Sequence, residues 1–239
     1  MAGSIQLTDA AKYYQQEPQQ VAAFEWLQLQ QTPETMAEFA EKYRATPPAP
    51  PKPEPQPGYI TADLMQAITG HPAHTFDTAF VNDFNDMLES TGFDQHLDAM
   101  QMLMANLAHE SCGFIYMKEI DSGEYLNGRT DLGNIYPGDG PLFRGCGPLQ
   151  VTGRNHFQSA SDWLRDHRGI DDGKIMALGT DYAADYYSFT IAIPWLLNND
   201  LLNVCLKQGF DECCYRINGG WNGKSDRDQW WEKCKQVMH

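Results

Sequence analysis

From residue 59 onward the apolar positions recur with a helical period. The spacing predicts helices over 61–69, about 79–90, 95–111, 155–167, 180–198, 200–207 and 226–237. Strand signals are few and no internal repeat is present, so the expectation is a mainly α fold. In "LDAMQMLMANLAHES" Leu97, Met100, Met104 and Leu107 define an apolar stripe, and Glu110 projects near its end. A carboxyl group there is expected to be partly desolvated, which favours its neutral form and suits a general acid. Glu119 follows nine residues later, after Cys112-Gly113, where the helix is expected to stop. The chain can then fold back and set Glu119 across a groove. The next stretch, Ile120–Gly147, is rich in Gly, Asp, Asn and Pro, which predicts a small second lobe that is either turn-rich or a β-hairpin. A loop of that length inside a domain is usually functional.

Spacing alone leaves a plainer reading open, in which both glutamates are solvated surface residues. Other chemistries fit worse. A zinc helix of the HExxH type would need histidine at position 113, which is glycine. Ser111 lies near His109 but has no Gly-x-Ser-x-Gly elbow around it.

Upstream, "RATPPAPPKPEPQPGY" holds seven prolines between residues 47 and 57. Proline fixes φ and cannot donate a backbone hydrogen bond, so 47–58 reads as a semi-rigid spacer. It separates a small helical module, 1–46, from a domain spanning 59–239. Thr8 and "TPET" from Thr32 supply helix starts in the module. Its aromatics, Tyr13, Tyr14, Phe24, Trp26 and Phe39, suit a small core, and its size suits a docking unit.

The charge balance narrows the partners. Lys+Arg total 17 against 32 Asp+Glu, a formal net charge of −15, so no basic stripe serves nucleic acid or an anionic membrane. The N-terminal stretch has neither a basic n-region nor an apolar h-region. The run "FTIAIPWLL" is too short to span a bilayer. The expectation is a soluble cytoplasmic product without stable membrane insertion. Six cysteines without CxxC pairs are expected to be free and mostly buried thiols.

Three stretches sharpen this picture. "AHESCGF", "GRTDLGNIYPGDGPLFRGCGPLQVTGRNHF" and "RINGGWNGKSDR" occur in an order and spacing that resembles glycoside hydrolase family 19. That family includes plant-type chitinases and many phage endolysins, within the lysozyme-like superfamily. The resemblance covers roughly residues 75–235. It implies a mainly α-helical, bilobal catalytic domain that cuts β-1,4 bonds between N-acetylated sugars with inversion. It further implies Glu110 as general acid and Glu119 as the second carboxylate. Gln150 is implied as a substrate-binding amide, Thr152 as a hydroxyl holding the attacking water, and Asn218 and Arg227 as cleft residues. Inverting hydrolysis needs a base set ~6.5–9.5 Å from the acid to admit a water. Trp221 is a candidate for stacking on a sugar, with a core role equally open. A turn role beside Gly219-Gly220 stays open for Asn218. Gly145 and Gly147 are expected to let the backbone approach substrate closely.

The chain departs from the family pattern in three places. Asn127 stands where many phage relatives carry a glutamate, leaving the base to Glu119, Glu124 or neither. Cys146 occupies the place of an arginine. His156 stands where asparagine is usual, with Asn155 one step early, and both are candidate substrate contacts. The expected function is a peptidoglycan hydrolase of phage type, a muramidase-like lysozyme acting on wall glycan strands. A chitinase on the same scaffold and a catalytically silent wall-binding or virion protein are the alternatives. No metal or organic cofactor is expected. The protein would wait in the host cytoplasm for holin-assisted release or ride on the virion, its N-terminal module docking on a virion protein or the cell wall.

Overall fold

The computed structural model describes residues 59–239. The readings of the module 1–46 and the spacer 47–58 lie outside the described residues. Nine α-helices are found among the described residues: α1 (Ala62–Thr69), α2 (Thr78–Thr91), α3 (Leu97–Glu110), α4 (Asp139–Leu142), α5 (Arg154–Arg168), α6 (Lys174–Tyr186), α7 (Ile193–Asn198), α8 (Leu201–Asn218) and α9 (Lys224–Val237). The mainly α expectation holds. Of the two forms expected for the small lobe the turn-rich one is seen: the β pairing among the described residues consists of isolated bridges, Lys118 with Cys146 and Cys146 with Val151. No described helix is long and apolar enough to cross a membrane.

The helix starts and stops follow local chemistry. Thr61 caps α1 by accepting from Leu64 N, and Asp77 caps α2 by accepting from Phe80 N. Just ahead of α1, Asn85 clasps the Ile60 backbone, donating to its carbonyl and accepting from its N–H, both at 2.9 Å. α3 is the axis of the fold, with α8 and α9 packed on it. Nine of its fourteen residues are buried, Gln101 and Asn106 among them. The single apolar stripe expected from spacing is therefore wrong: α3 is enclosed on several sides, as a central helix must be.

Two expected helices are redrawn. The one over 180–198 divides into the end of α6, a 3₁₀ turn at Thr190–Ala192, and α7. Pro194 at the first turn of α7 favours a fresh start there. Buried Asp83 holds the break open, accepting from Phe189 N at 2.7 Å and Thr190 Oγ1 at 2.6 Å. The helix expected to end at 207 instead runs to Asn218, kinked at Gly209, where φ 81 and ψ −170 suit glycine.

α3 ends abruptly. Cys112, Gly113 and Phe114 are successively left-handed, with φ 51, 72 and 69. Each non-glycine residue there costs about 1–2 kcal/mol. Burial of Phe114 among Phe80, Phe84 and Phe189 offsets that cost, together with a hydrogen bond from Phe114 N to Ser111 Oγ. The expected fold-back is thus real, and it delivers residues 115–119 to the turn-rich segment.

Candidate active site

Glu110 lies at the last turn of α3, with its side chain 28% exposed. Its partner is the guanidinium of Arg227 on α9, which donates from Nη2 to Glu110 Oε1. Arg227 is itself 1% exposed. Its Nη1 donates to Asn106 Oδ1 at 2.7 Å, and Nη2 also reaches Asn218 Oδ1 at 3.5 Å. The surroundings of Glu110 are therefore polar and charged, not the apolar stripe end inferred from spacing. Asn218 Nδ2 and Arg227 Nε are buried donors without a partner among the described residues. Such groups are costly unless something accepts from them. Asn218 also closes α8 before Gly219, so its turn position and its contact with Arg227 coexist.

Sequence reasoning gave no role to the neighbouring pair. His109 Nδ1 meets Asp226 Oδ2 at 2.6 Å, and Trp230 Nε1 donates to the same oxygen at 3.1 Å. The His109 ring lies so close to Gly223 that a Cβ there would come within 2.3 Å of it. These contacts tie the end of α3 to the start of α9. The only signal for them was that His109 and Asp226 each sit inside a quoted motif.

Glu119 is held differently. Its backbone N–H donates to Gly145 O at 2.9 Å, and Gly147 N–H donates to Met117 O at 2.8 Å. Its side chain accepts twice: from Tyr125 O–H at Oε1, 2.5 Å, and from Gly145 N–H at Oε2, 2.7 Å. The hydrogen bond to Glu119, helped by desolvation, pushes the Tyr125 phenol up to about 12. Glu124 lies nearby in sequence but binds Asn127 Nδ2 at 2.7 Å. Its turn is braced, since Asp121 Oδ1 accepts from Gly123 N–H and Asn127 Oδ1 from Gly140 N–H.

Gln150 adopts φ 51 and touches Gly145: a Cβ on that glycine would fall 2.4 Å from Gln150 Oε1 and 3.2 Å from Glu119 Cβ. At Gly147 the obstruction would be Ser188 O, at 2.0 Å. Both glycines thus make room for the protein's own atoms, in place of the expected approach to substrate. Cys146 between them is fully buried, where no arginine could be solvated, and desolvation pushes its thiol well up. All six cysteines are free thiols, with Cys112 exposed.

A cavity of about 210 Å³ opens here, lined by Gln150, Thr152 and His156 with Leu132, Trp195 and Ile217 among others. Thr152 Oγ1 donates to Gln150 O at 2.8 Å, which leaves its lone pairs to accept from a water. His156 Nδ1 lies 2.8 Å from Thr152 O. A carbonyl can only accept, so Nδ1 carries a proton and Nε2 is the ring nitrogen left for another partner. Asn155 is exposed and its side chain packs over Gly133. Trp221 is 57% exposed beside Tyr215, so it is a surface aromatic and not a core one. Glu119 is joined to this cavity through Gly145 and Gln150, while neither carboxylate is part of its lining.

The architecture has solved counterparts. A bacterial family 19 chitinase superposes with a TM-score of 0.58 at 16% identity, covering 75% of this chain and 95% of the other. The chain has the family 19 chitinase fold. Chitinase C from Streptomyces griseus HUT6037 also superposes, with a TM-score of 0.51 at 16% identity, covering 77% of this chain and 94% of the other. In sequence, two endochitinases of Arabidopsis thaliana are each 29% identical, over 170 and 171 residues, or 69% of this chain. The chain spans about half the length of these relatives, 55% and 54%. No family model matches.

Proposed function

We propose that this chain is an inverting glycoside hydrolase for β-1,4-linked glycans of N-acetylated sugars, with Glu110 as acid and Glu119 as base. One observation carries the reading. Two carboxylates on different elements are each oriented by directional hydrogen bonds, and one of them, Glu119, adjoins a cavity through Gly145 and Gln150. Glu110 would protonate the leaving oxygen. Glu119 would draw a proton from a water that Thr152 also holds, and that water would attack the far face of the sugar. Gln150 and His156 would bind acetamido and hydroxyl groups, and Trp221 would stack on a sugar face.

For the substrate we take bacterial peptidoglycan, because the three motifs and the module-plus-spacer arrangement together resemble phage endolysins. Chitin is the second reading, favoured by relatives that are themselves chitinases. Purified walls and chitin oligomers, each incubated with the protein, separate the two. Loss of wall turbidity, with mass spectrometry finding new reducing-end muramic acid, supports the first. Cleavage of chitin oligomers alone supports the second, and cleavage of neither rejects the enzyme.

A further inference from the structure

The geometry points to Tyr125 as a positioning residue for Glu119, and to Asn127 as the brace of the turn that carries its phenol. The inference rests on the reading of Glu119 as the base. A glutamate carboxylate hangs on three rotatable bonds, and a base must hold its water on a fixed line of attack. Here each oxygen has its own donor. Gly145 N–H comes from backbone paired with the Glu119 segment, and Tyr125 O–H comes from the facing turn. Each oxygen keeps a lone pair for a water.

The phenol is exposed, yet its support is not loose. Leu126 beside it is buried, and its carbonyl accepts from Asn134 Nδ2 at 3.1 Å. Asn134 is fully buried, and its Oδ1 accepts from Arg154 N–H at the start of α5. Asn127 completes the brace. Its Oδ1 accepts from Gly140 N–H at 3.0 Å, and its Nδ2 donates to Glu124 Oε2 at 2.7 Å. A glutamate at 127 could not donate to Glu124 and would repel it. The amide at this position and a base at Glu119 therefore belong together: the side chain that does not supply the carboxylate steadies the turn that orients it.

The test uses the full-length protein with Tyr125→Phe, Glu119→Gln and Asn127→Asp, assayed on the glycan it cuts. Tyr125→Phe is expected to lower kcat about tenfold with KM within about twofold, because the ring stays and only the hydroxyl is lost. Asn127→Asp should lower kcat in the same direction but less. Thermal unfolding of Tyr125→Phe should match the wild type, since the ring is 62% exposed. A second readout needs no turnover. In ultraviolet titration Glu119→Ala, added because a glutamine amide could still accept from the phenol, should bring one tyrosine down from about 12 toward the ordinary value of ~10. Full kcat in Tyr125→Phe beside a dead Glu119→Gln overturns the positioning role and leaves the base in place. An active Glu119→Gln rejects the base itself and the inference with it. An unchanged tyrosine titration in Glu119→Ala, or a kcat loss in Tyr125→Phe that tracks lost thermal stability, also overturns the positioning role.

Discussion

The two carboxylates reach the site on supports of opposite kinds. Glu110 ends a helix enclosed by the core, and a buried side chain from the far end of the sequence holds it. Glu119 stands on a segment with almost no regular structure, where one neighbouring turn and one paired backbone stretch hold it. Helical packing fixes the first through burial, so its position depends on the whole fold. The second depends on a few hydrogen bonds made within 26 residues or fewer. Damage should accordingly be global on one side and local on the other.

The largest expected effect is at Glu110, the proposed acid. Glu110→Gln should lower turnover by ~10²–10⁴-fold, since an amide cannot deliver the proton. The fold should survive, because the amide oxygen still accepts from Arg227. A folded variant with near wild-type turnover would remove Glu110 from the mechanism. Next is its partner. Arg227→Ala leaves a cavity and strands Asn106 Oδ1, and breaking a buried pair costs about 3–5 kcal/mol. The lower end is expected, because water can reach Glu110. Chemical denaturation measures the loss, and an unchanged midpoint would contradict a global support on this side.

The other support is probed by a pair of variants. Glu119→Gln should cost about a hundredfold in turnover or more, while Glu124→Gln stays within about threefold, because its amide oxygen can still accept from Asn127. The reverse order would move the base to Glu124. The smallest effect is expected from a fragment beginning at Gly58. It retains the Ile60–Asn85 clasp and the described core, so it should fold and turn over soluble oligomers within about twofold of the full chain. An insoluble fragment would place part of the domain's support upstream of Gly58.

What the sequence disclosed follows the same division. α3 was legible to within two residues because its apolar content is dense and its end is marked by Ser-Cys-Gly. Glu110, Arg227 and Asn218 came from motifs, yet their joining could not be read locally, because Glu110 and Arg227 lie 117 positions apart. The apolar run Phe114–Lys118 ahead of Glu119 anchors it only in part. Phe114 is buried, but Ile115 and Tyr116 are 46% and 47% exposed, and backbone pairing with 145–147 does the holding. Backbone hydrogen bonds carry no residue signature, which is why that pairing stayed invisible. The break at Ser188–Thr190 was missed for a related reason: its cause, Asp83, lies over a hundred positions away.

Cys146 stands between two partners, bridged to Lys118 on one side and Val151 on the other. Its own N–H and carbonyl both pair with Val151, at 3.0 and 2.8 Å, and its neighbours pair with Met117 and Glu119. A transient opening of this small patch would therefore release Glu119 on one side and the Gln150–Thr152 stretch on the other in one event. In amide hydrogen exchange, the N–H groups of Glu119, Cys146, Gly147 and Val151 should share one opening free energy. The base and the groups that hold its water would then be lost and regained together.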